Sequence, residues 1–244
     1  MTVATKPVAI QAGGENAVQF RRAFQALFGR PGIIAPTDLD VTAKGTPDMS
    51  VNVAAGQVVV AGTESAGQGY YVVYNDATIN LAVAASDPTN ARIDLIVAKV
   101  QDQEYSGTVD AASIVVVTGT AAATPSAPTA PKNSITLAQI AVAANANSVT
   151  NADITDKRVF QGAQQSTKDV VVASGTSSVS TTVTFDVPFA DTPHLTIVLV
   201  EAAGGSWTDT LTAISPTGFT VKVAASNGAT VASSHTVTVS WRAV

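Results

Sequence analysis

The segment Asp87-Pro88-Thr89-Asn90-Ala91-Arg92-Ile93-Asp94-Leu95-Ile96-Val97-Ala98-Lys99-Val100 joins a polar turn to a run of aliphatic residues that carries two opposite charges. The aliphatic run is too short for a helix, is rich in β-branched residues and follows a proline turn. These features predict a buried or half-buried β-strand. The segments on both sides of it contain further short strand patterns, so we expect this strand to be central to its domain.

Arg92 and Asp94 are the two opposite charges of this strand. Because they are two residues apart, their side chains share one face of the strand. One interpretation is an ion pair that sets the register of the strand. Another is a contact between subunits, since a buried ion pair contributes specificity more readily than stability.

The composition is typical of a β-rich protein with small side chains. Hydrophobic residues make up 46% and charged residues 13% of the 244 residues, and the hydrophobic share is mostly Ala and Val. This length suits one large or two ordinary domains, and the changes of composition along the chain favour at least two.

Charge and cysteine content exclude several classes of function. A net charge of −5 without a compact Lys/Arg cluster argues against nucleic acid or an anionic membrane as a partner. The absence of cysteine excludes thiolate metal sites, a thiol nucleophile and disulfide bonds. There is no apolar run of about 18 residues, so we expect no membrane insertion, and the polar N-terminal residues predict no signal peptide.

Residues 15–28 form the one good helix pattern, within an N-terminal attachment segment that we place at residues 1–32. An apolar stripe with near-helical spacing carries three of the seven phenylalanines, and Gly29 and Pro31 end the helix. A helix of about fourteen residues is marginal alone, so its stripe must pack on something. It packs either on its own domain or on a neighbouring subunit or assembly, and the residues concerned are Phe20, Phe24 and Phe28.

The rest of the chain is predicted to be mainly β. Residues 33–160 alternate short strands with turns and predict an antiparallel domain that includes a Pro/Ala/Thr segment at 119–131, which cannot join a central sheet. Residues 161–167 are polar and predict a linker. Residues 168–244 contain six strand patterns spaced by turns at about ten residues, which predicts an antiparallel β-sandwich.

The order of motifs in residues 33–158 resembles the tail-tip and tail-fibre domain of tailed phages of actinobacteria and related hosts. The resemblance implies a virion tail protein, located at the tail tip or fibre, that forms a homotrimer. Its N-terminal part would attach to other tail or baseplate proteins, and its C-terminal part would face the host. The motifs are Val51-Asn52-Val53-Ala54-Ala55-Gly56, Gly69-Tyr70-Tyr71, Arg92-Ile93-Asp94, Tyr105-Ser106-Gly107 and Asp153-Ile154-Thr155-Asp156-Lys157-Arg158.

Within this set of motifs, Arg92 and Asp94 are expected to set the strand register or to pair with Asp156 and Arg158 of the closing segment. All four are therefore assigned to structure and assembly rather than to ligand chemistry.

The C-terminal segment resembles the H-type lectin module, a trimer-forming six-stranded sandwich. The resemblance implies a carbohydrate-binding or protein-binding face on the host side. Four aromatic residues match core positions and are not assigned as ligands: Phe185, Phe189, Phe219 and Trp241. The matching motifs are Val183-Thr184-Phe185, Phe189-Ala190-Asp191-Thr192-Pro193, Pro216-Thr217-Gly218-Phe219-Thr220-Val221 and Val239-Ser240-Trp241.

Trp207 and Asp209 are the best candidates for ligand binding. They are predicted to lie in a loop, where an exposed indole could stack on the apolar face of a sugar while the carboxylate accepts hydroxyl hydrogen bonds. The other interpretation is a tryptophan that caps the sandwich.

We expect no catalytic residues, no metal site and no cofactor. His194 and His235 are the two histidines, and there is no nucleophile elbow and no zinc or calcium spacing. Three functions remain open: a receptor-binding virion component, a purely architectural trimeric tail protein, and a hydrolase of a surface polymer.

Overall fold

A computed structural model describes residues 16–161, 164–189, 191–200 and 206–243. The chain divides into two compact units, with the boundary between Gln161 and Gly162. The prediction of a mainly β protein with one N-terminal helix and several antiparallel sheets is confirmed. No helix in the described part of the chain is long and apolar enough to cross a membrane.

Residues 16–161 of the first unit contain one α-helix and ten strands. In chain order they are α1 (Ala17–Phe28), β1 (Gly32–Ile33), β2 (Val41–Ala43), β3 (Ser50–Val53), β4 (Gly56–Ala61), β5 (Tyr70–Asn75), β6 (Ile79–Ala82), β7 (Arg92–Gln101), β8 (Ala111–Val117), β9 (Ser134–Val142) and β10 (Ile154–Asp156).

The described part of the second unit contains six strands. They are β11 (Gln164–Val172), β12 (Ser178–Thr184), β13 (Leu195–Val200), β14 (Trp207–Ser215), β15 (Gly218–Ala225) and β16 (His235–Ala243). Strand β11 begins inside the segment 161–167 that was predicted to be a linker, because residues 164–167 pair with the end of β16.

The strands of the first unit form three antiparallel sheets, ordered β1-β4-β5, β2-β3-β6 and β10-β9-β7-β8. Strand β7 lies between β9 and β8 in the largest sheet and is buried along most of its length, since residues 94–98 are all buried. A continuous aliphatic run suits such a strand because both of its faces lie against other protein groups. The predicted central strand is therefore observed.

Arg92 and Asp94 form a buried ion pair within β7, with Arg92 Nε 2.9 Å from Oδ1 of Asp94. Arg92 also donates from Nη1 to the carbonyl of Ala85 at 2.7 Å and from Nη2 to that of Ala84 at 2.6 Å. Asp94 Oδ1 accepts the backbone N–H of Gly119 at 2.8 Å. The pair therefore connects β7 to the segment before it and to the start of the proline segment.

Gly119 is required where the proline segment begins. A Cβ at this position would collide with the carbonyl oxygen of Ile93. The absence of a side chain lets the backbone N–H of Gly119 reach Asp94.

A second group of contacts is centred on Arg158, which follows the end of β10. Arg158 Nη2 lies 2.8 Å from Oδ2 of Asp156 and 2.7 Å from Oδ1 of Asp40. Its Nη1 donates to the carbonyls of Pro36 and Asp38 at 3.1 and 2.9 Å. This arginine holds the irregular connection between β1 and β2.

The expected pairing of Arg92 and Asp94 with Asp156 and Arg158 is wrong. Arg92 binds Asp94, two residues along β7, and Arg158 binds Asp156, two residues before it, as well as Asp40. Neither charge of the β7 pair is exposed: the relative exposure is 4% for Arg92 and 0% for Asp94. The groups that they bind belong to their own chain, so the observed contacts support the structural interpretation of this pair.

Helix α1 is capped at both ends. Asn16 and Gln19 form a reciprocal capping box, with the Asn16 side chain accepting from the Gln19 backbone at 3.0 Å and the Gln19 side chain accepting from the Asn16 backbone at 2.8 Å. Gly29 follows the helix with a φ of 73° and donates to the carbonyl of Gln25. The helix thus begins within two residues of the predicted start and ends at the predicted residue.

The helix docks onto its unit through Arg21, the one buried residue of α1. Arg21 donates from Nε to the carbonyl of Gln68 at 2.9 Å and from Nη2 to the hydroxyl of Tyr105 at 2.9 Å, and its Nη1 lies 3.2 Å from Asp102 Oδ2. The guanidinium also lies 5.2 Å from the centre of the Tyr71 ring.

The apolar stripe of α1 is only partly covered. Phe24 and Phe28 are half-buried, whereas Phe20 is 48% and Leu27 75% exposed. Packing on its own domain thus covers Phe20 only in part, and packing on a neighbouring subunit or assembly stays a prediction for this residue.

The six strands of the second unit form two three-stranded antiparallel sheets, ordered β11-β16-β13 and β12-β15-β14. Alternate residues of β15 and β16 are buried, as expected for sheets with one packed face. Phe185 lies at the centre of the aromatic core, 5.1 Å from Phe189, 6.0 Å from Phe219 and 5.4 Å from Trp241 between ring centres. These four residues are buried, as the sequence predicts.

Replacing Asp94 by Ala should destabilise the first unit by about 3 to 5 kcal/mol, because it leaves the Arg92 charge buried without its partner. Urea unfolding followed by circular dichroism measures this change. Lys44→Ala is the control, because it removes an ion pair with Asp48 whose side chains are 40% and 49% exposed and should cost about 0 to 1 kcal/mol. Equal effects of the two substitutions would contradict the role of the buried pair.

Burial, together with the hydrogen bond that Tyr71 donates to Asp102 at 2.7 Å, raises the pKa of the Tyr71 phenol to about 12. A raised pKa means that folding favours the protonated phenol. This contribution to stability is present below the ordinary tyrosine pKa of about 10 and is lost as the pH rises through about 12. The ultraviolet absorbance of tyrosinate should therefore show a late ionisation step.

Tyr71→Phe should abolish that late step. Tyr74→Phe, which removes a phenol that is 69% exposed, should leave it in place. A late step that survives in Tyr71→Phe would show that another tyrosine is responsible.

Candidate ligand-binding site

Trp207 is the first residue of β14 and pairs with Ala225 at the end of β15. Its side chain is 8% exposed. The prediction of an exposed loop tryptophan is wrong, because Trp207 is already part of strand β14 and its side chain is buried there. The indole lies at the edge of the sandwich core.

His235 packs against the indole from the start of β16, with ring centres 5.6 Å apart and planes inclined by 57°. Its Nε2 lies 3.4 Å from the hydroxyl of Ser233. Trp207 and His235 therefore form an aromatic pair at the end of the sandwich where the β15–β16 loop leaves the sheet.

A cavity of about 390 Å³ opens beside this pair, which is within the usual size range of small-ligand sites. One side is formed by the two rings, and the other by the loop of residues 226–234. The lining side chains are small, hydroxylic or amide, apart from the two rings: Ser206, Trp207, Ala225, Ser226, Asn227, Ala229, Thr230, Val231, Ala232, Ser233 and His235. Among the residues that the structure describes, no Asp, Glu, Lys or Arg lines this cavity.

The loop wall of the cavity is held in place by the β11–β12 connection. Val231 donates its N–H to the carbonyl of Thr176 at 2.9 Å and accepts the N–H of Gly175 at 2.8 Å. Ser174 donates from its hydroxyl to the carbonyl of Ala232 at 2.9 Å. These hydrogen bonds attach the loop to the β11–β12 connection.

The indole Nε1 of Trp207 is buried and has no hydrogen-bond partner among the residues that the structure describes. An unpaired buried donor costs roughly 1 to 3 kcal/mol. Because the atom is shielded from solvent, the indole presents its ring rather than its N–H to the cavity. Hydrogen bonds to a ligand would therefore come from the hydroxyl and amide groups of the loop.

Asp209 does not join Trp207 in this cavity. It is exposed on β14 and is not among the lining residues. The structure therefore separates the two residues that the sequence predicted to act together.

His235 and the loop 226–234 were missed by the sequence reasoning. The loop has nine residues and connects strands of different sheets. Binding residues often lie on such surface connections. Nothing local in the sequence, however, places Trp207 opposite His235, because the contact joins β14 of one sheet to β16 of the other.

A second cavity of about 550 Å³, in the first unit, lies between the start of α1 and the β7–β8 connection. Its acidic groups are already engaged. Asp102 binds Arg21 and Tyr71, and Asp110 accepts from the backbone and side chain of Gln103 at 2.9 and 2.6 Å. Among the described residues, no group of three or more His, Asp or Glu side chains is arranged to hold a metal ion.

Trp207→Ala should destabilise the second unit by about 3 to 5 kcal/mol, because it removes a buried ring from the edge of the core. Asp209→Ala should change the stability by no more than about 0.5 kcal/mol, because Asp209 is exposed. Urea unfolding of the full chain, followed by far-ultraviolet circular dichroism, compares the two. If Trp207→Ala leaves the free energy of unfolding unchanged, the side chain is not part of the core.

Comparisons with known proteins find no matching family model and no match among curated proteins. Among solved structures, the chain is similar to tailspike gp49 of Pseudomonas phage LKA1, with 20% identity and a TM-score of 0.31 over 33% of this chain and 14% of that one. It is also similar to tailspike gp54 of Acinetobacter baumannii phage AP22, solved with a capsular saccharide, with 11% identity and a TM-score of 0.28 over 34% and 16% of the two chains. Discoidin II of Dictyostelium discoideum matches with 13% identity and a TM-score of 0.25 over 81% and 76% of the two chains. The chain thus spans less than two thirds of the length of either tailspike, and TM-scores of this size define neither a shared fold nor a function.

Proposed function

We propose that this protein is a structural component of a phage tail tip or fibre whose C-terminal unit binds an uncharged saccharide on the host surface. The observation that carries the proposal is the cavity beside Trp207 and His235. The resemblance of the sequence motifs to tail-fibre domains supplies the biological setting: a homotrimer in the virion, attached to other tail proteins by its N-terminal segment.

The chemistry of the cavity suits a sugar. Two ring systems provide an apolar surface of the kind on which the C–H face of a sugar packs. Ser226, Asn227, Thr230 and Ser233 contribute groups that can both donate and accept hydrogen bonds, which matches the hydroxyl groups of a saccharide. The lack of charged side chains in the lining favours a neutral ligand over an anionic one, because a buried anion needs a cationic partner.

A hydrolase is disfavoured at this cavity. Hydrolysis of a glycosidic bond ordinarily uses a pair of carboxylates that flank the bond. The described lining residues include no carboxylate, and Asp209 lies outside the cavity. Binding without turnover is therefore the activity that the geometry supports best.

The purely architectural function remains the competing proposal. In that case the sandwich would only trimerise and cap the fibre, and the cavity would have no ligand. The two functions differ in one measurable property, the binding of the full-length protein to host cells or to arrayed neutral glycans.

The double variant Thr230→Val and Ser233→Ala should weaken saccharide binding about tenfold or more, because it removes two hydroxyl groups from the cavity and keeps its size. Equilibrium binding to the best glycan of an array, or to host cells, measures the change. The matched control is Thr236→Val with Ser180→Ala, which removes two hydroxyls of the second unit that do not line the cavity and should bind like the parent chain.

Equal affinity of all three proteins would reject this cavity as the saccharide site. A parent chain that binds neither cells nor glycans would favour the architectural function.

A further inference from the structure

We propose that Asn227 is a site of spontaneous modification, where loss of the side-chain amide produces aspartate or isoaspartate and lowers the affinity of the cavity for a saccharide. The chemical step depends only on Asn227, Gly228 and water. Its effect on binding rests on the proposed function, and the two are measured separately.

Asn227 is the only asparagine of the chain that is followed by a glycine. In an asparagine, the backbone nitrogen of the next residue can attack the side-chain amide carbon and close a five-membered succinimide ring. The reaction is intramolecular, so it needs only the right conformation of neighbouring atoms. Gly228 favours that conformation, because it has no Cβ to hinder ring closure and its backbone is conformationally permissive. The bond between Asn227 and Gly228 is therefore the most reactive of its kind in the chain.

The step conserves atoms and electrons. The Gly228 nitrogen gives its proton to hydroxide and forms a bond to Cγ of Asn227, and Nδ2 leaves as ammonia after taking a proton from water. A water molecule then opens the ring at one of its two carbonyl carbons. Opening at Cγ gives aspartate, and opening at the backbone carbonyl carbon gives isoaspartate, in which the chain continues through Cγ. The net change is water taken up and ammonia released, without an oxidant or a reductant.

The loop presents this bond to solvent. Asn227 and Gly228 are both exposed, and apart from its chain neighbours no atom lies within 4 Å of the position that a Cβ on Gly228 would occupy. Ala229 donates its N–H to Oδ1 of Asn227 at 3.0 Å, as in an Asx turn. This hydrogen bond withdraws electrons from Cγ, the atom that is attacked. The Gly228 nitrogen lies in the backbone between the two bonded groups, so the reacting atoms are held in one turn that water can reach.

A second hydrogen bond of the same loop slows the reaction. Gly228 donates its N–H to the carbonyl of Ala225 at 2.9 Å. The nitrogen must leave this hydrogen bond before it can attack, so the folded loop should react more slowly than an unfolded chain. Local opening of a surface loop costs much less free energy than global unfolding, and the reaction therefore remains accessible in the native protein.

Conversion of Asn227 changes the lining of the saccharide cavity. Asn227 is a lining residue, and the described lining contains no Asp, Glu, Lys or Arg. An aspartate ordinarily has a pKa of about 3.9, so the product is ionised at neutral pH. The carboxylate cannot donate a hydrogen bond, and its charge must be desolvated when a neutral sugar covers it. Isoaspartate also lengthens the backbone of the loop. Both products should therefore bind a neutral saccharide more weakly than the parent chain does.

Incubation of the full-length protein in mildly alkaline buffer tests the site. Peptide mass spectrometry should show loss of unmodified Asn227 before that of Asn147, which is exposed and precedes Ser148, and anion exchange should show a growing acidic form. The same incubation in guanidinium chloride should convert Asn227 faster, because the turn at Ala225 is then open. Asn227→Gln should not acidify at this position, because a glutamine would have to close a six-membered ring. An Asn227 that stays intact for as long as Asn147 does would overturn the proposal.

Equilibrium binding of the same samples to the best neutral glycan of an array tests the consequence. The affinity of the parent chain should fall in step with the conversion, and Asn227→Asp should bind about tenfold more weakly than the fresh parent. Asn147→Asp is the matched control, because it adds the same charge at an exposed position of the first unit, outside the cavity, and it should bind like the fresh parent. Incubated Asn227→Gln should keep the affinity of its own fresh sample.

Conversion of Asn227 without loss of affinity would contradict the effect on binding. A parent chain that binds no saccharide when fresh would reject the proposed function and with it this effect, whereas the conversion of Asn227 is decided by mass spectrometry alone.

Discussion

Arg92 brings a positive charge into the interior of the first unit, where Asp94 neutralises it two residues along the same strand. Because the partner is local, the remaining donors of the guanidinium are left to hold the carbonyls of Ala84 and Ala85. The carboxylate in turn holds the N–H of Gly119. One ion pair thus supplies hydrogen-bond partners to backbone groups of two irregular segments. Burying these charges is tolerable because nearly every donor and acceptor around them is paired.

Arg158 and Arg21 likewise each bind both an aspartate and backbone carbonyls. Arg158 binds a local aspartate and the backbone of the β1–β2 connection. Arg21 binds the backbone of Gln68 and the side chain of Asp102. In a unit of short strands and long connections, a guanidinium group has several donors that can bind backbone carbonyls outside the sheets. Because α1 is fastened in this way, Phe20 and Leu27 can remain exposed.

The second unit has a different basis. Its core is a cluster of aromatic rings between two sheets. The candidate site lies at one end of this core, where Trp207 and His235 pack against each other. The long β15–β16 loop extends beyond this end and supplies the polar wall. Rigid strands thus position the rings, while the loop carries the groups that can vary with the ligand.

Local patterns in the sequence were sufficient for the mainly β class, the helix ending at Phe28, the strand of Arg92 and Asp94, and the buried aromatic residues of the sandwich. These features follow from spacing and turn chemistry, which act over a few residues. Only the tertiary structure decided which groups Arg92 binds, which face of α1 is buried, and that Trp207 meets His235 rather than Asp209. Those contacts join residues that are distant in the sequence, and they depend on strand register and on how buried charges find partners, neither of which a local pattern contains.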